Sequence, residues 1–375
     1  MKNIVGTIFI QEYAMTRRLI SLTIMILLLC GASGFALQDK ISLLSDYYYK
    51  RDAQRYEEIK KEKDPQKLSG QLIEFLKERP INRLLTYITQ DYQNIIVDYL
   101  NKKEWDRAVS MAEGMMAALA TEKAVDQAVA SGDITVVEKN VEEFKQQLRQ
   151  ARLQMQQVIL STYVSSGNWA KAAELQEQLY KAAPSTQGVE LLADIYLRLQ
   201  NYDKYLENAK KLMAEFPVTQ PKGFNAAFTS VQIYMQKNDT AAATDIYKKL
   251  MDTYGDKIPE GLDAAQWNPH RITAYSLLAQ EPYAKKDYRK ALEMFEKVVK
   301  ADPANGDAYY YIGLCKWQVE GQDSAIEPLA KSVVLNKASA ARARQNLEQI
   351  HKAKNNDSLD GLDAILAKAK ASLGI

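Results

Sequence analysis

The chain has 375 residues, of which 47% are hydrophobic and 26% are charged, and its formal net charge is +2. These values are ordinary for a soluble protein and exclude a small domain that depends on disulfides for its stability. Glycine and proline are few, at 16 and 10 residues. An all-β protein needs a turn about every ten residues, so this composition favours long helices.

The first 36 residues differ from the rest. Arg17 and Arg18 precede the apolar run LISLTIMILLLC, which is followed by the small-residue segment GASGFA and then by polar residues. Basic, then apolar, then small is the order of a secretory signal peptide. Gly34 and Ala36 fit a small-x-small cleavage pattern, so the sequence predicts cleavage after Ala36.

Two alternatives remain open for this segment. Residues 19–37 carry no charge and are just long enough to span a bilayer as an uncleaved anchor. Cys30 is a candidate for lipidation, although the preceding Leu29 is larger than lipoprotein signals favour. The sequence therefore predicts export, with the N-terminal segment cleaved, retained or lipidated.

Removal of residues 1–36 changes the charge balance. It takes three of the 49 basic residues and one of the 47 acidic residues, which leaves 46 of each. A neutral protein lacks the basic field that nucleic-acid binding requires, so no nucleic-acid partner is expected. Cys315 is then the only cysteine, which leaves no intramolecular disulfide.

A short phrase recurs along the remaining chain. It consists of a polar turn, an aromatic residue, two polar or small residues and usually alanine, and it is predicted to open a helix each time. The copies are KEWDRA (103–108), GNWAKA (167–172), QNYDKY (200–205) and KDYRKA (286–291).

The spacing around the phrase is also kept. A tyrosine lies nine residues before the alanine at Tyr99 and Tyr163, and Pro184 and Pro217 are 33 residues apart. A period of 33 to 34 residues is typical of a helical hairpin repeat.

These residues resemble the tetratricopeptide repeat, in which an aromatic and a small residue of the first helix meet an alanine and an aromatic residue of the second, and a proline closes the unit. One unit matches through Tyr309, Gly313, Ala325 and Leu329, and the unit before it through Ala291, Phe295 and Pro303. The resemblance implies an all-α fold, a right-handed superhelical solenoid of helix-turn-helix repeats. Two units depart from the pattern, because Tyr205 replaces the alanine and Pro282 is expected to kink or stop a first helix.

The sequence divides accordingly. The predicted parts are 1–36 (signal peptide or anchor), 37–80 (helical lead-in with a degenerate repeat), 81–122 (one repeat), 123–152 (helical insert joined at Gly132 and Asp133), 153–257 (three repeats), 258–271 (linker loop), 272–339 (two repeats) and 340–375 (capping helices).

No enzyme motif is present. The two histidines, His270 and His351, form no H-E-x-x-H pair, and the sequence contains no G-x-x-x-x-G-K-[ST], G-x-G-x-x-G or G-x-S-x-G. The acidic residues alternate with lysines in the i, i+4 pattern of a solvated helix face. The sequence therefore predicts a non-catalytic protein with no cofactor and no metal.

Two stretches are candidates for small sites. NNDSLDGLD (355–363) resembles half of a calcium loop, but Ala367 occupies the position of the bidentate glutamate, so a turn and an N-capped helix are predicted instead. The Pro- and Gly-punctuated stretch 255–271 is predicted to be a loop. Its Trp267 and His270 are either a polar-aromatic contact site or a tryptophan packed onto the solenoid.

The resemblance implies a binding surface on the first helices of the repeats. If the tyrosines at 163, 196 and 234 mark the core, helical phase places other side chains on the opposite face. Those predicted for the groove are Gln157, Ser161, Glu190, Asp194, Phe228 and Gln232.

The run YYYIG at 309–313 adds candidates. Helical phase places Tyr309 in the core and Tyr311 away from both apolar stripes. Tyr310 aligns with Leu314 and Trp317 in a second stripe, which either contacts a neighbouring unit or supplies groove anchors.

The predicted function is an exported, non-catalytic scaffold that binds a protein or peptide partner in the periplasm or cell envelope. An envelope assembly or secretion accessory is a subclass of this prediction. The alternative is a subunit of an uptake or assembly system that binds a glycan or peptide through aromatic stacking. A membrane is a predicted partner only through the N-terminal segment, if that segment is retained or Cys30 is lipidated.

Overall fold

The computed structural model describes residues 46–131 and 138–375, and throughout these ranges the regular structure is helical. The predicted signal segment, Cys30, and the predicted joint at Gly132 and Asp133 lie outside the described residues. The chain divides into two compact units, with the boundary after Asn201. The predicted all-α class is confirmed.

Both units consist of consecutive helices with short turns. Unit 1 holds α1 (Asp46–Ile59), α2 (Pro65–Glu78), α3 (Leu85–Asn101), α4 (Trp105–Ala118), α5 (Glu122–Ala130), α6 (Glu138–Ser165), α7 (Trp169–Ala182) and α8 (Thr186–Arg198). Unit 2 holds α9 (Tyr202–Glu215), α10 (Pro221–Gln236), α11 (Thr240–Tyr254), α12 (Ala264–Ala284), α13 (Tyr288–Ala301), α14 (Gly306–Glu320), α15 (Gln322–Leu335), α16 (Ala340–Lys354) and α17 (Leu362–Ser372).

The recurring phrase is a Schellman turn. Its first residue has a positive φ, 60° at Lys103, 73° at Gly167 and 63° at Lys286. The amide of the following residue donates to the carbonyl five residues earlier, as from residue 168 to Tyr163 at 2.8 Å. The amide of the positive-φ residue itself donates to the carbonyl three residues earlier, which is the inner bond of the motif. The tyrosine nine residues before the alanine therefore supplies the carbonyl that ends the first helix.

Side chains complete these turns. Asn168 and Asp287 each accept a bond from the backbone amide three residues later and so cap α7 and α13. Basic side chains then cover tyrosine rings, with Lys171 lying 5.5 Å from the centre of the Tyr163 ring. One short phrase thus determines where one helix ends and where the next begins.

In unit 1, Arg152 of α6 fixes the end of α4. Its guanidinium donates to the carbonyls of Met116, Leu119 and Ala120 at 2.8 to 3.0 Å. Met116 lies in the last turn of α4, and Leu119 and Ala120 follow it, so the arginine satisfies carbonyls at a helix end that burial would otherwise leave unpaired.

The predicted loop at 258–271 is wrong from residue 264 onward. Asp263 and Gln266 form a capping box, with bonds of 2.8 and 2.9 Å between each side chain and the other backbone amide, and α12 begins there. Trp267 is fully buried. Pro269 lies within α12 and removes one helical hydrogen bond, yet the helix continues through it to Ala284.

Pro282 does not stop α12, which continues to Ala284. Its carbonyl accepts the amide of Asp287 in the Schellman turn at 2.8 Å. Pro282 removes one helical hydrogen bond, and α12 ends two residues after it.

Candidate functional site

In unit 1, the four residues predicted for the groove are all half-buried. Ser161 bonds within its own helix, its hydroxyl donating to the carbonyl of Val158 at 2.9 Å. Asp194 pairs with Arg198 at 3.1 Å, and the guanidinium of Arg198 lies 4.8 Å from the centre of the Trp169 ring. The Asp194 carboxylate is therefore engaged within the protein.

Gln157 belongs to a longer row of amides that sequence reasoning missed. At 100° per residue, Gln147, Gln150, Gln154, Gln157 and Ser161 share one face of α6 over about four turns. The spacing of three and four residues was the available signal. This face offers neutral donors and acceptors.

In unit 2, Phe228 and Gln232 of α10 are half-buried. The Phe228 ring stacks on Phe224 with centroids 5.4 Å apart, and it meets the His270 ring at 4.4 Å. Phe228 was predicted for the groove, and the structure instead packs its ring against Phe224 and His270, a contact that the sequence did not show. A role of Phe228 in binding remains a prediction.

His270 lies in a mostly apolar environment. Its Nδ1 is 3.2 Å from the hydroxyl of the buried Tyr247, and Trp267 lies beside it with ring centroids 6.4 Å apart. Burial lowers the pKa of His270 from 6.5 to about 4 and raises that of Tyr247. At neutral pH the pair is therefore a neutral hydrogen bond that holds α12 against α11.

Tyr310 is corrected as a groove candidate. Its side chain is 8% exposed, it belongs to a buried cluster with Ala325 and Leu329, and the Arg342 guanidinium lies 5.1 Å from its ring centre. Contact with a neighbouring helix, the first of the two readings of this stripe, is what the structure shows. Leu314 and Trp317 pack against the same cluster but stay half-buried, and their role in binding remains a prediction.

The expectations for the other two tyrosines of the run also change. Tyr309 is half-buried rather than fully buried, and Lys331 lies over its ring. Tyr311 does not point away from its neighbours, because its ring stacks on Phe295 at 4.9 Å with an interplanar angle of 8°. Helical phase gives only the direction of each side chain around its own helix. The neighbouring helix α13 contacts more of the circumference of α14 than a single apolar stripe, so Tyr311 is also covered.

The stretch 355–363 forms a turn before α17. The hydroxyl of Ser358 accepts the amide of Asp360 at 3.0 Å, and Nε2 of His351 lies 2.8 Å from the Asp360 carbonyl. The predicted side-chain cap is wrong, since Gly361 stands at the N-cap with a φ of 86°. Across residues 46–131 and 138–375, no group of three or more His, Cys, Asp or Glu side chains could hold a metal ion.

The same two ranges contain no helix with both the length and the hydropathy that crossing a bilayer requires.

Comparison with known proteins gives a family match in unit 2. The family model of the tetratricopeptide repeat matches residues 277–334, from the second half of α12 to the end of α15. This match assigns residues 277–334 of unit 2 to the tetratricopeptide repeat. The resemblance inferred from the sequence is thereby confirmed.

Among curated proteins, the chain is similar to a TPR repeat-containing protein of Methanocaldococcus jannaschii. The two are 26% identical over 162 residues, which cover 42% of this chain and 28% of that relative. The chain thus matches under a third of the relative's length.

Similar solved structures include a tetratricopeptide repeat protein from Parabacteroides merdae, at 12% identity. The alignment covers 81% of this chain and 99% of that one, with a TM-score of 0.29. The TPR2AB domain of yeast Sti1, solved in complex with an Hsp90 peptide, is 14% identical with the same coverage and a TM-score of 0.31.

Proposed function

We propose that this protein is a non-catalytic scaffold, exported to the cell envelope, that binds a polypeptide partner through the first helices of its repeats. The observation that carries the proposal is the pair Leu314 and Trp317. Both lie on α14, inside the region that matches the repeat family, and both keep part of their apolar surface in water. Half-exposed aromatic anchors beside polar positions are the usual composition of a binding surface.

Two neutral amide positions support a polypeptide partner. Gln232 is half-buried on α10 and Gln318 is exposed on α14, one residue beyond Trp317. Amide side chains donate and accept hydrogen bonds, as a peptide backbone does. The solved structure of the yeast Sti1 domain contains a peptide, which is consistent with this use of the family.

Site-specific photocrosslinking tests the binding surface. A photoreactive residue at Gln232 or Gln318 is expected to crosslink to one and the same polypeptide in intact cells. Asp245 is the matched control, since it is exposed on the second helix α11 of the same unit. Equal crosslinking from all three positions, or no polypeptide product from Gln232 and Gln318, would refute the proposal.

Intact-mass measurement of the protein from its native host tests the export step. Cleavage after Ala36, a retained segment and a lipidated Cys30 give three different masses, and each supports export when the protein fractionates with the envelope. An unprocessed protein found only in the cytosol would overturn the proposed location.

A further inference from the structure

The His270 side chain of α12 lies against Phe228 of α10, a residue that the sequence predicts for the groove. Their ring centroids are 4.4 Å apart, and the rings are tilted by 60°. Phe224 and Trp267 also lie beside Phe228, with centroids 5.4 and 6.2 Å away. Those two neighbours are buried, whereas His270 is half-buried and therefore borders both Phe228 and solvent.

One hydrogen bond holds the His270 ring in this position. Its Nδ1 lies 3.2 Å from the Tyr247 hydroxyl, at the long end of the range for such bonds. Within residues 46–131 and 138–375, the ring makes no second hydrogen bond to a protein group, and its Nε2 is not among the buried polar atoms without a partner. The ring therefore already touches water on one side, and rotation of the side chain alone can carry it off Phe228.

The covered ring is a weak base. Burial lowers the pKa of His270 from 6.5 to about 4, so the covered ring binds a proton roughly 300-fold more weakly than a histidine in water. A conformer with the ring in water that is rarer by up to this factor at neutral pH becomes the major one once the ring is protonated.

The groups around the imidazole give a protonated ring no counter-charge of its own. Tyr247 faces it from α11, and burial raises the pKa of that hydroxyl, so it stays neutral. On α12 the next residue, Arg271, is already paired with Asp256. On α10 the charged side chain is Lys222, whose ammonium lies over an aromatic ring of the preceding turn. The covered position therefore favours the neutral imidazole.

We propose that His270 is an acid-operated cover for Phe228. The neutral side chain lies on the Phe228 ring, and the protonated side chain turns into solvent and opens that ring to the partner polypeptide. This inference rests on the proposed scaffold function and specifies how its binding surface is regulated.

NMR of the full chain with labelled histidine and phenylalanine tests the cover without any partner. The chain has two histidines, so two imidazole signals are expected, and the one absent from His270→Gln belongs to His270. We expect a nuclear Overhauser effect between His270 and Phe228 at pH 7 and its loss as His270 titrates, with a midpoint between pH 4 and 6.5. The effect between Phe224 and Phe228 should persist through this range.

Two results of this titration overturn the inference. Attraction between a cation and an aromatic face opposes the release, so a His270–Phe228 contact that outlasts protonation would show that the ring stays in place. If the contact between Phe224 and Phe228 is lost at the same pH, the acid unfolds the surrounding helices and His270 is not a separate cover.

Photocrosslinking tests the consequence for binding. A photoreactive residue at Gln232 lies one turn beyond Phe228, and one at Gln318 of α14 serves as the internal reference. In isolated cell envelopes, the ratio of the Gln232 product to the Gln318 product should rise from pH 7 to pH 4.5 in the wild type. The ratio should stay constant in His270→Gln, which does not titrate. A constant ratio in the wild type refutes the regulation.

Failure of the scaffold proposal is distinguishable from failure of the cover. If neither Gln232 nor Gln318 gives a polypeptide product at either pH, the scaffold proposal fails, and with it the access of a partner to Phe228. The NMR titration then still decides whether His270 releases Phe228, because it requires no partner.

Discussion

The hairpins α12/α13 and α14/α15 are successive copies of one repeat, and their helices pack through small residues and a lysine–tyrosine contact at equivalent positions. Ala279 and Gly313 occupy the same position 34 residues apart, as do Ala291 and Ala325. All four are buried where a first helix meets its second. A lysine also lies over the first-helix tyrosine in both copies, at 5.1 Å for Lys297 and Tyr275 and at 5.5 Å in the next copy.

The two hairpins differ in their turns and in what precedes them. The first turns through Lys286 in a Schellman motif, whereas the second turns through Gly321 with φ 103° and ψ 173°, a region open essentially to glycine alone. The first also begins earlier, at the Asp263 capping box, and carries Trp267 and His270. The two copies therefore share the residues at which their helices cross, whereas the turn between the helices and the start of the first helix differ.

The largest expected effect comes from His270, which only the first hairpin has. Its pKa is about 4 in the fold against 6.5 for the free side chain, so the unfolded chain binds the proton first. The stability contributed by neutral His270 is complete above pH 6.5 and is lost as the pH falls towards 4. The total loss is about 3 kcal/mol in the free energy of unfolding.

Denaturant unfolding at pH 7 and at pH 4.5 measures this effect. His270→Gln keeps a hydrogen-bonding group near Tyr247 but does not titrate, so it should lose much less stability than the wild type over this range. Equal losses in both proteins would show that His270 is not the titrating group. Carboxylates common to both proteins cancel in the comparison.

The second largest effect tests the crossing of the other hairpin. A Cβ on Gly313 would lie 2.7 Å from Cγ of Leu329, a fully buried residue, so Gly313→Ala forces the helices apart. We expect a loss of about 2 kcal/mol in unfolding free energy, even though alanine favours a helix.

The matched control for this change is Gly114→Ala in α4. There the new Cβ would meet only the Tyr92 hydroxyl, at 3.9 Å, so the gain in helix propensity of about 0.5 to 1 kcal/mol should appear unopposed. Thermal unfolding of the two variants should shift in opposite directions. A shift in the same direction would mean that Gly313 is not held by packing.

These two hairpins also show how far the sequence could predict the structure. The spacing of Gly313, Ala325 and Leu329 predicted a helix crossing, because a small residue facing a large one is a local pattern with a fixed period. The spacing of tyrosine and alanine likewise marked the Schellman turns. Both signals lie within one repeat, so a single sequence carries them.

Other features depend on partners distant in the chain. The helical periodicity of α14 could not show that Phe295 covers Tyr311 or that Arg342 covers Tyr310, because both partners lie on other helices. At 258–271, the prolines and glycines predict a loop, but the capping box D-x-x-Q at Asp263 and Gln266 starts a helix before Pro269. The Tyr283 ring of α12 contacts Tyr288 of α13 and Tyr311 of α14. This contact depends on how three helices pack together, which the periodicity of a single helix does not determine.

The smallest expected effect concerns the turns themselves. Lys286 adopts a φ of 63°, which costs a residue with a Cβ about 1 kcal/mol relative to glycine. Lys286→Gly should therefore raise the free energy of unfolding by up to about 1 kcal/mol, since the turn is kept and only the strain is relieved.

The same gain is not available to the second hairpin, because Gly321 is already glycine. Gly321→Ala should instead lower stability, although a Cβ there would meet no atom within 4 Å. Chemical denaturation of both variants decides the matter: if Lys286→Gly is destabilising, the lysine side chain makes a contribution that outweighs its backbone strain, and the two turns differ in more than their dihedral angles.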